Sequence, residues 1–279
     1  MQKTWLITGA TSGLGLIMAE RVLARGDRVA ALVRRPAAIG PLLEKYEQQL
    51  FLLPLDLSRP EDIRPAVDKA FAHMGRIDMV VSNAAYGLFG AAEEVSEDQI
   101  HQQITTNLTG SILLIRSALP HLRAQGGGRI VQVSSEGGQI TYPSFGLYHA
   151  TKWGIEGFVE TVAQEVAPFG IDCIIAEPGP TGTNFGANLA IAAAIPAYAA
   201  TPAGQVRKAI SDGSFVIRGD AERTVDAMMA AIDSPTPPLR LALGSTAYKS
   251  IHSALTNRLR LLEAQKEVAF SADRPDTPA

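Results

Sequence analysis

Short, continuous apolar runs alternate along this chain with longer stretches in which apolar residues recur every three or four positions. The runs at 5–8, 29–33, 51–55, 79–82, 130–134 and 171–177 have the length of buried strands. Helix-length stretches fall between them at 13–25, 41–48, 61–74, 97–122 and 147–166. In the first of these Leu16, Ala19, Val22 and Leu23 share one face, and Gly26 ends it. Strands this apolar, separated this regularly by helices, predict a parallel sheet covered on both faces. Right-handed crossovers make that an α/β, doubly wound, Rossmann-type fold with a mostly parallel sheet of seven strands. The seventh strand is expected at 239–243, after a helix over about 222–232 that Asp220 caps with its carboxylate.

Two stretches break the alternation. Residues 179–216 are rich in Ala, Gly, Pro and Thr and have no period. They read as a substrate-binding loop with short helices, mobile until ligand orders it, whose Phe185, Leu189 and Ile191 cover an apolar substrate. Residues 246–279 read as a helical extension packed on the body. No linker, repeat or low-complexity block divides the chain, so 1–279 is expected to be a single catalytic domain.

Composition narrows the function. Apolar residues make up 46% and charged residues 19%, as in a globular protein, and the net charge of −3 offers no basic field for nucleic acid or a membrane surface. The opening apolar run is too short for a signal-peptide core, and the run near 190–200 is broken by Pro196 and too short to span a bilayer. A cytoplasmic enzyme is expected. Cys173 is the only cysteine, which excludes an intrachain disulfide, and its strand-like surroundings predict buried packing. His73, His101, His121 and His252 are scattered without ligand spacing, so no metal site is expected.

Chemistry first appears at Thr8-Gly9-Ala10-Thr11-Ser12-Gly13-Leu14-Gly15, between the first strand and the first helix. A pyrophosphate must approach backbone amides at a helix N-terminus, where a Cβ obstructs it. Gly9 permits the tight turn, Gly13 the approach and Gly15 close helix packing, with Thr11, Ser12 and Leu14 in the same cradle. Tyr148 and Lys152 supply a second feature. Their i, i+4 spacing puts phenol and ammonium on one helix face. A free phenol, with a pKa of about 10, is a poor base at neutral pH, and a nearby ammonium favours its phenolate.

The spacing T-G-x-x-x-G-x-G, with Tyr148-x-x-x-Lys152, resembles the single-domain branch of the short-chain dehydrogenase/reductase family. Asp56-Leu57 follows the third strand, where that family binds adenine. Ser82-Asn83-Ala84-Ala85 resembles its N-N-A-G, with Ser82 for the first Asn and Ala85 for the Gly. Pro178-Gly179, through Thr181 to Thr183, resembles the P-G-x-x-x-T that holds the nicotinamide carboxamide. The resemblance spans about residues 1–245. It makes Ser135, thirteen residues before Tyr148, the hydroxyl that binds the substrate oxygen, in preference to Ser134. It makes Asn107, in an otherwise apolar helix, the holder of a water that links Lys152 to solvent. His149, about 100° round the helix from Tyr148, is read as non-catalytic.

At the end of the second strand, where NAD-preferring relatives carry an acid on the adenosine ribose, this chain has Val33 followed by Arg34 and Arg35. A guanidinium suits a 2′-phosphate, which predicts NADP(H), although Ser12 stands where some NADP-binding relatives carry a second basic residue. The expected function is hydride transfer between NADP(H) and a small-molecule carbonyl or secondary alcohol, with Tyr148 as acid and base. A homo-oligomer, dimer or tetramer, is expected. An NAD-preferring alcohol dehydrogenase is the alternative within this chemistry. A sensor that kept the fold for binding alone would lack part of the Ser–Tyr–Lys set, and a nucleotide-sugar epimerase would show a different glycine spacing and a larger C-terminal domain. Beside the expected site, Glu136, Tyr142 and Phe185 predict a mainly apolar substrate pocket with a few polar anchors.

Overall fold

The computed structural model describes residues 2–274. Its centre is a seven-stranded, wholly parallel sheet. In chain order the strands and helices are β1 (Thr4–Thr8), α1 (Gly13–Ala24), β2 (Arg28–Val33), α2 (Gly40–Lys45), β3 (Leu50–Pro54), α3 (Pro60–Met74) and β4 (Met79–Ser82). There follow β5 (Leu88–Phe89), α4 (Glu97–Ile104), α5 (Gly110–Ala124), β6 (Gly128–Val133), α6 (Gly146–Val166), β7 (Ile171–Pro178) and β8 (Ala190–Ile191). The chain continues with α7 (Pro202–Ser211), α8 (Ala221–Asp233), β9 (Arg240–Leu243), α9 (Ser245–Glu263) and α10 (Lys266–Ser271). Across the sheet the order is β3-β2-β1-β4-β6-β7-β9.

Period-two alternation along the strands divides the core into two layers. In β1, Leu6 faces a layer in which α3, α5 and α6 contribute Phe71, Leu114 and Ile155. Its neighbours Trp5 and Ile7 face the other way, into a layer built from α1 and α8 with Met18 and Met228. Trp5 is fully buried and satisfies its indole by donating to Asp27 at 2.9 Å. Cys173 lies in the first layer, buried as expected. Asp220 caps α8, its carboxylate accepting from the Arg223 amide at 2.8 Å.

Four features differ from the pattern of the sequence. The helix expected over 97–122 is interrupted at Thr105–Thr109 by a wide turn in which the Gly110 amide reaches back five residues to the Thr105 carbonyl. The helix expected over 41–48 ends at Lys45, because Tyr46 leaves helical geometry and its carbonyl accepts from the Gln49 and Leu50 amides in a turn into β3. Residues 179–216 are not all loop. They include α7 and the short strand β8, which pairs with β5 through Leu88–Ala190 and Phe89–Ile191. The extension packs on the body along its first helix, where Ala247 and Ile251 meet Ile140 and Arg258 reaches the Gln139 carbonyl and lies over the Trp153 ring. Leu259, Leu262, Val268 and Phe270 farther along are exposed, and the last five residues of the extension lie outside the described residues.

Candidate active site

The strand order reverses between β1 and β4, and at their C-terminal ends opens a cleft of about 1040 Å³. Its first wall is the glycine turn. Gly9 and Gly13 have φ of +70° and +55°, a backbone region that side chains rarely adopt. Asn83, at the end of β4, clamps the turn. Its side-chain amide donates to the Thr8 carbonyl at 2.9 Å, and the Asn83 and Ala84 amides donate to the Thr8 hydroxyl at 2.9 and 3.0 Å. Gly15 does not reach the cleft. It lies behind the turn, where a Cβ would collide with the Asn83 amide and the Gly9 carbonyl. Ser12 starts α1 without capping it by its side chain, so the first amides of the helix keep their donors for something in the cleft. Thr183, across the cleft, stands 3.5 Å from where a Gly13 Cβ would be.

Arg34 and Arg35 leave β2 at the far end of the cleft, beside Asp56 and Leu57. Burial pushes the Asp56 carboxyl up. The Ser58 amide and hydroxyl, at 2.9 and 2.8 Å, outweigh that and hold it below the usual range, with help from the charges of Arg34 and Arg59. Ala84, Ala85, Gly179 and Thr181 line the middle of the cleft.

At the other end stand Ser135, Tyr148 and Lys152. Ser135 leaves β6 in extended conformation. Its hydroxyl accepts from the Gly137 amide at 3.1 Å, donates to the Pro178 carbonyl at 3.5 Å and lies beside the Tyr148 phenol. Lys152 is buried, with Nζ donating to the Val133 carbonyl at 2.9 Å and lying 5.6 Å from the centre of the Tyr148 ring. Burial pushes the Tyr148 phenol up to about 12. The nearby Ser135 hydroxyl opposes that, and the Glu136 and Glu156 carboxylates add to it. Burial also holds Lys152 down to about 8, against the pull of Glu156. In the cofactor-free cleft the phenol is therefore not acidified by its ammonium neighbour, as the spacing predicted. Desolvation and two carboxylates outweigh the Ser135 hydroxyl, which pulls the other way.

His149 braces this end. Its Nδ1 donates to the Gly137 carbonyl at 2.8 Å, and its Nε2 accepts from the Tyr142 amide at 2.8 Å, an arrangement for neutral imidazole that burial reinforces. Asn107 also differs from expectation. Its side chain is buried off the cleft, accepting from the Tyr86 amide at 3.1 Å and donating to the Tyr86 carbonyl at 2.8 Å. The side chain is thus held on Tyr86 through its oxygen and one amide hydrogen.

The substrate end is largely apolar. Phe145 and Phe185 flank Tyr148, with ring centres 6.3 and 5.7 Å away, and Leu189 and Phe215 continue the wall. Tyr142 donates to the buried Glu136 carboxylate at 2.6 Å. Ile191, expected to cover substrate, points away and is exposed. Sequence reasoning missed Tyr86, the next residue after the Asn83-Ala84-Ala85 motif, and Ile210 and Phe215, which reach the cleft from a segment that carries none. Among the described residues no cluster of His, Cys, Asp and Glu could hold a metal, and no helix is long and apolar enough to cross a membrane.

Comparison with known proteins gives this geometry a context. The family profile described as short chain dehydrogenase matches residues 3–194. The chain is 36% identical over 254 residues to oxidoreductase BOA17 of Botryotinia fuckeliana, covering 89% of this chain and 91% of that protein. It is 34% identical over 181 residues to a 3-ketodihydrosphingosine reductase of Bacteroides thetaiotaomicron, covering 64% of each. A crystal structure of a short-chain dehydrogenase from Streptomyces avermitilis superposes with a TM-score of 0.90 at 35% identity, over 98% of both chains.

Proposed function

The chain belongs to the short-chain dehydrogenase family of oxidoreductases, and on that premise we propose that it reduces a ketone or aldehyde, or oxidises the corresponding alcohol, with NADP(H). The observation that carries the reading is the meeting of the Ser135 and Tyr148 hydroxyls over the buried Lys152, at the closed end of a cleft that begins at an uncapped helix. The cleft fits a dinucleotide. A Cβ would obstruct its glycine turn, and the amides that open α1 have no side-chain partner. Gly9, Thr11, Ser12, Gly13 and Leu14 would hold the pyrophosphate, with Asn83 fixing the turn from behind. Asp56 and Leu57 would hold the adenine, Ala84 and Ala85 the middle of the cofactor, and Pro178, Gly179, Thr181 and Thr183 the nicotinamide end. Arg34, and Arg35 beside it, support the NADP(H) preference, since Val33 offers no carboxylate to a ribose hydroxyl.

The bound cofactor supplies or accepts the hydride. The protein's share is to bind, orient and move one proton. Ser135 holds the substrate oxygen by a hydrogen bond, stabilising the negative charge that develops there. Tyr148 donates its proton to that oxygen in reduction and removes it in oxidation. A phenol held up near 12 is protonated at neutral pH but a weak acid, and positive charge beside it makes its proton easier to give up and its phenolate easier to populate. Lys152 contributes that charge and a donor for a ribose hydroxyl. Phe145, Phe185, Leu189 and Phe215 exclude water and favour an apolar substrate. The relative named for reducing a 3-keto compound supports the ketone reading. A panel of apolar ketones, aldehydes and secondary alcohols, assayed with NADPH and with NADH, tests the proposal. Turnover of apolar carbonyls that is faster with NADPH is expected, and no turnover of any carbonyl or alcohol with either cofactor would overturn it.

A further inference from the structure

One turn beyond Lys152, on the same face of α6, Glu156 is as deeply buried as the lysine, at 1% against 3% exposed. One carboxylate oxygen accepts from the hydroxyl of Ser134, and the other pairs with the Arg240 guanidinium of β9 at 2.6 Å. The same guanidinium takes Glu177 of β7 and, at 2.6 Å, the outlying Glu160 of α6. Glu177 is balanced further by the Gln139 amide at 2.7 Å. Gly138 closes the enclosure, since a Cβ there would collide with the Glu156 carboxylate.

The lysine is less well provided. Its ammonium has three donors and one protein acceptor, the Val133 carbonyl. Val133 and Ser134 are consecutive, so Lys152 grips one and Glu156 the next, immediately before Ser135. Two adjacent holds, one helical turn apart, set the register of α6 on β6 and with it the meeting of Tyr148 and Ser135. A buried ammonium also needs a counter-charge. The charged and titratable groups that face this pair are Tyr148 and Glu160 from α6, Glu136 from the turn after β6, Glu177 from β7 and Arg240 from β9. Among them Glu156 is the group whose charge acts on Lys152, and it works against the burial that holds the ammonium near 8.

We propose that Glu156 is a positioning residue for this site, the counter-charge of the buried Lys152 ammonium and, through Ser134, the second hold that keeps α6 in register with the end of β6. The consequence for turnover rests on the reading of Lys152 given above, whereas the electrostatic claim does not. The test follows the Lys152 ammonium directly, by nitrogen NMR of the full-length, cofactor-free protein labelled at lysine. The wild-type midpoint is expected near 8. Glu156→Gln should lower it by about one pH unit or more, and Glu160→Gln should leave it in place. The high-pH fall of kcat in carbonyl reduction should move down by the same amount in Glu156→Gln. A Lys152 midpoint unchanged in Glu156→Gln would overturn the inference. A wild type that turns over no carbonyl would overturn the function and leave the titration standing. Should the glutamine variant not fold, Ser134→Ala decides. The Lys152 signal should then show a second, acidic inflection from Glu156, at higher pH than in wild type because the carboxylate has lost a donor. No such inflection in either protein would overturn the inference.

Discussion

Tyr148 and Arg34 sit at opposite ends of one cleft, and each can be questioned without disturbing the other. Tyr148→Phe keeps the ring packed against Phe145 and Phe185 and removes the hydroxyl alone. We expect kcat to fall on the order of 10²-fold or more while NADP(H) binding, read by fluorescence titration, stays nearly intact. Near wild-type turnover would show that another group moves the proton. Arg34→Ala should weaken NADPH by roughly 10- to 150-fold and NADH hardly at all, because only the 2′-phosphate loses a partner. Equal losses would remove Arg34 from cofactor choice, and a wild-type preference for NADH would remove NADP(H) itself. Cys173 gives a pH-dependent reading of the core. Burial pushes its thiol up to about 12, with the Asp172 charge adding to the effect. An acid group whose pKa rises on folding contributes stability below its unfolded value and loses it as pH rises through the folded one. The melting-temperature gap between wild type and Cys173→Ala should therefore narrow as pH rises from about 8 to above 10. A gap independent of pH would show that the thiol ionises as freely in the folded protein as in the unfolded chain.

Among the elements, the strands and most helices were legible because buried parallel strands are continuous apolar runs and their covering helices keep a period. What escaped depends on partners distant in sequence. Nothing at Leu88 or Ala190 announces that β5 and β8 will pair, and the wide turn at Thr105–Thr109 follows from Asn107 reaching Tyr86. The motif residues of the site were legible too, since each sits where its spacing has meaning, at a strand end or, for Tyr148 and Lys152, one turn apart on α6. Glu156 and Arg240 carry no such mark, and only the fold brings residues 156, 177 and 240 together. The segment over 179–216 is tied down in its middle. Arg207 of α7 pairs at 2.6 Å with the buried Glu94, which also accepts from the Ala91 and Ile195 amides at 2.7 and 2.9 Å. Mobility is therefore expected on either side of this anchor. Hydrogen exchange should be slow near 190–192 and 203–208 without ligand. It should be fast over 181–189 and 212–218, and slow there once NADP⁺ and a substrate analogue are bound. Protection that is uniform and unchanged by ligand would rule out a lid.

For the whole molecule, labour divides along the sheet. The strands before the reversal carry the expected phosphate and adenosine contacts, and those after it carry the hydroxyls and the ammonium. The final strand belongs to neither group, yet Arg240 reaches in from it to three acids set far earlier in the chain. During synthesis, the chain up to β7 would already bring Glu156 and Glu177 together, with Lys152 beside the first and without Arg240 to bridge the two. Like charges in a dry interior repel, and such groups take up protons or stay apart. Until residue 240 has emerged and β9 has docked, the pair lacks the guanidinium that bridges it, and burial favours its protonated form. Completion of the sheet and full charging of this acid cluster are then expected to come together, late in translation.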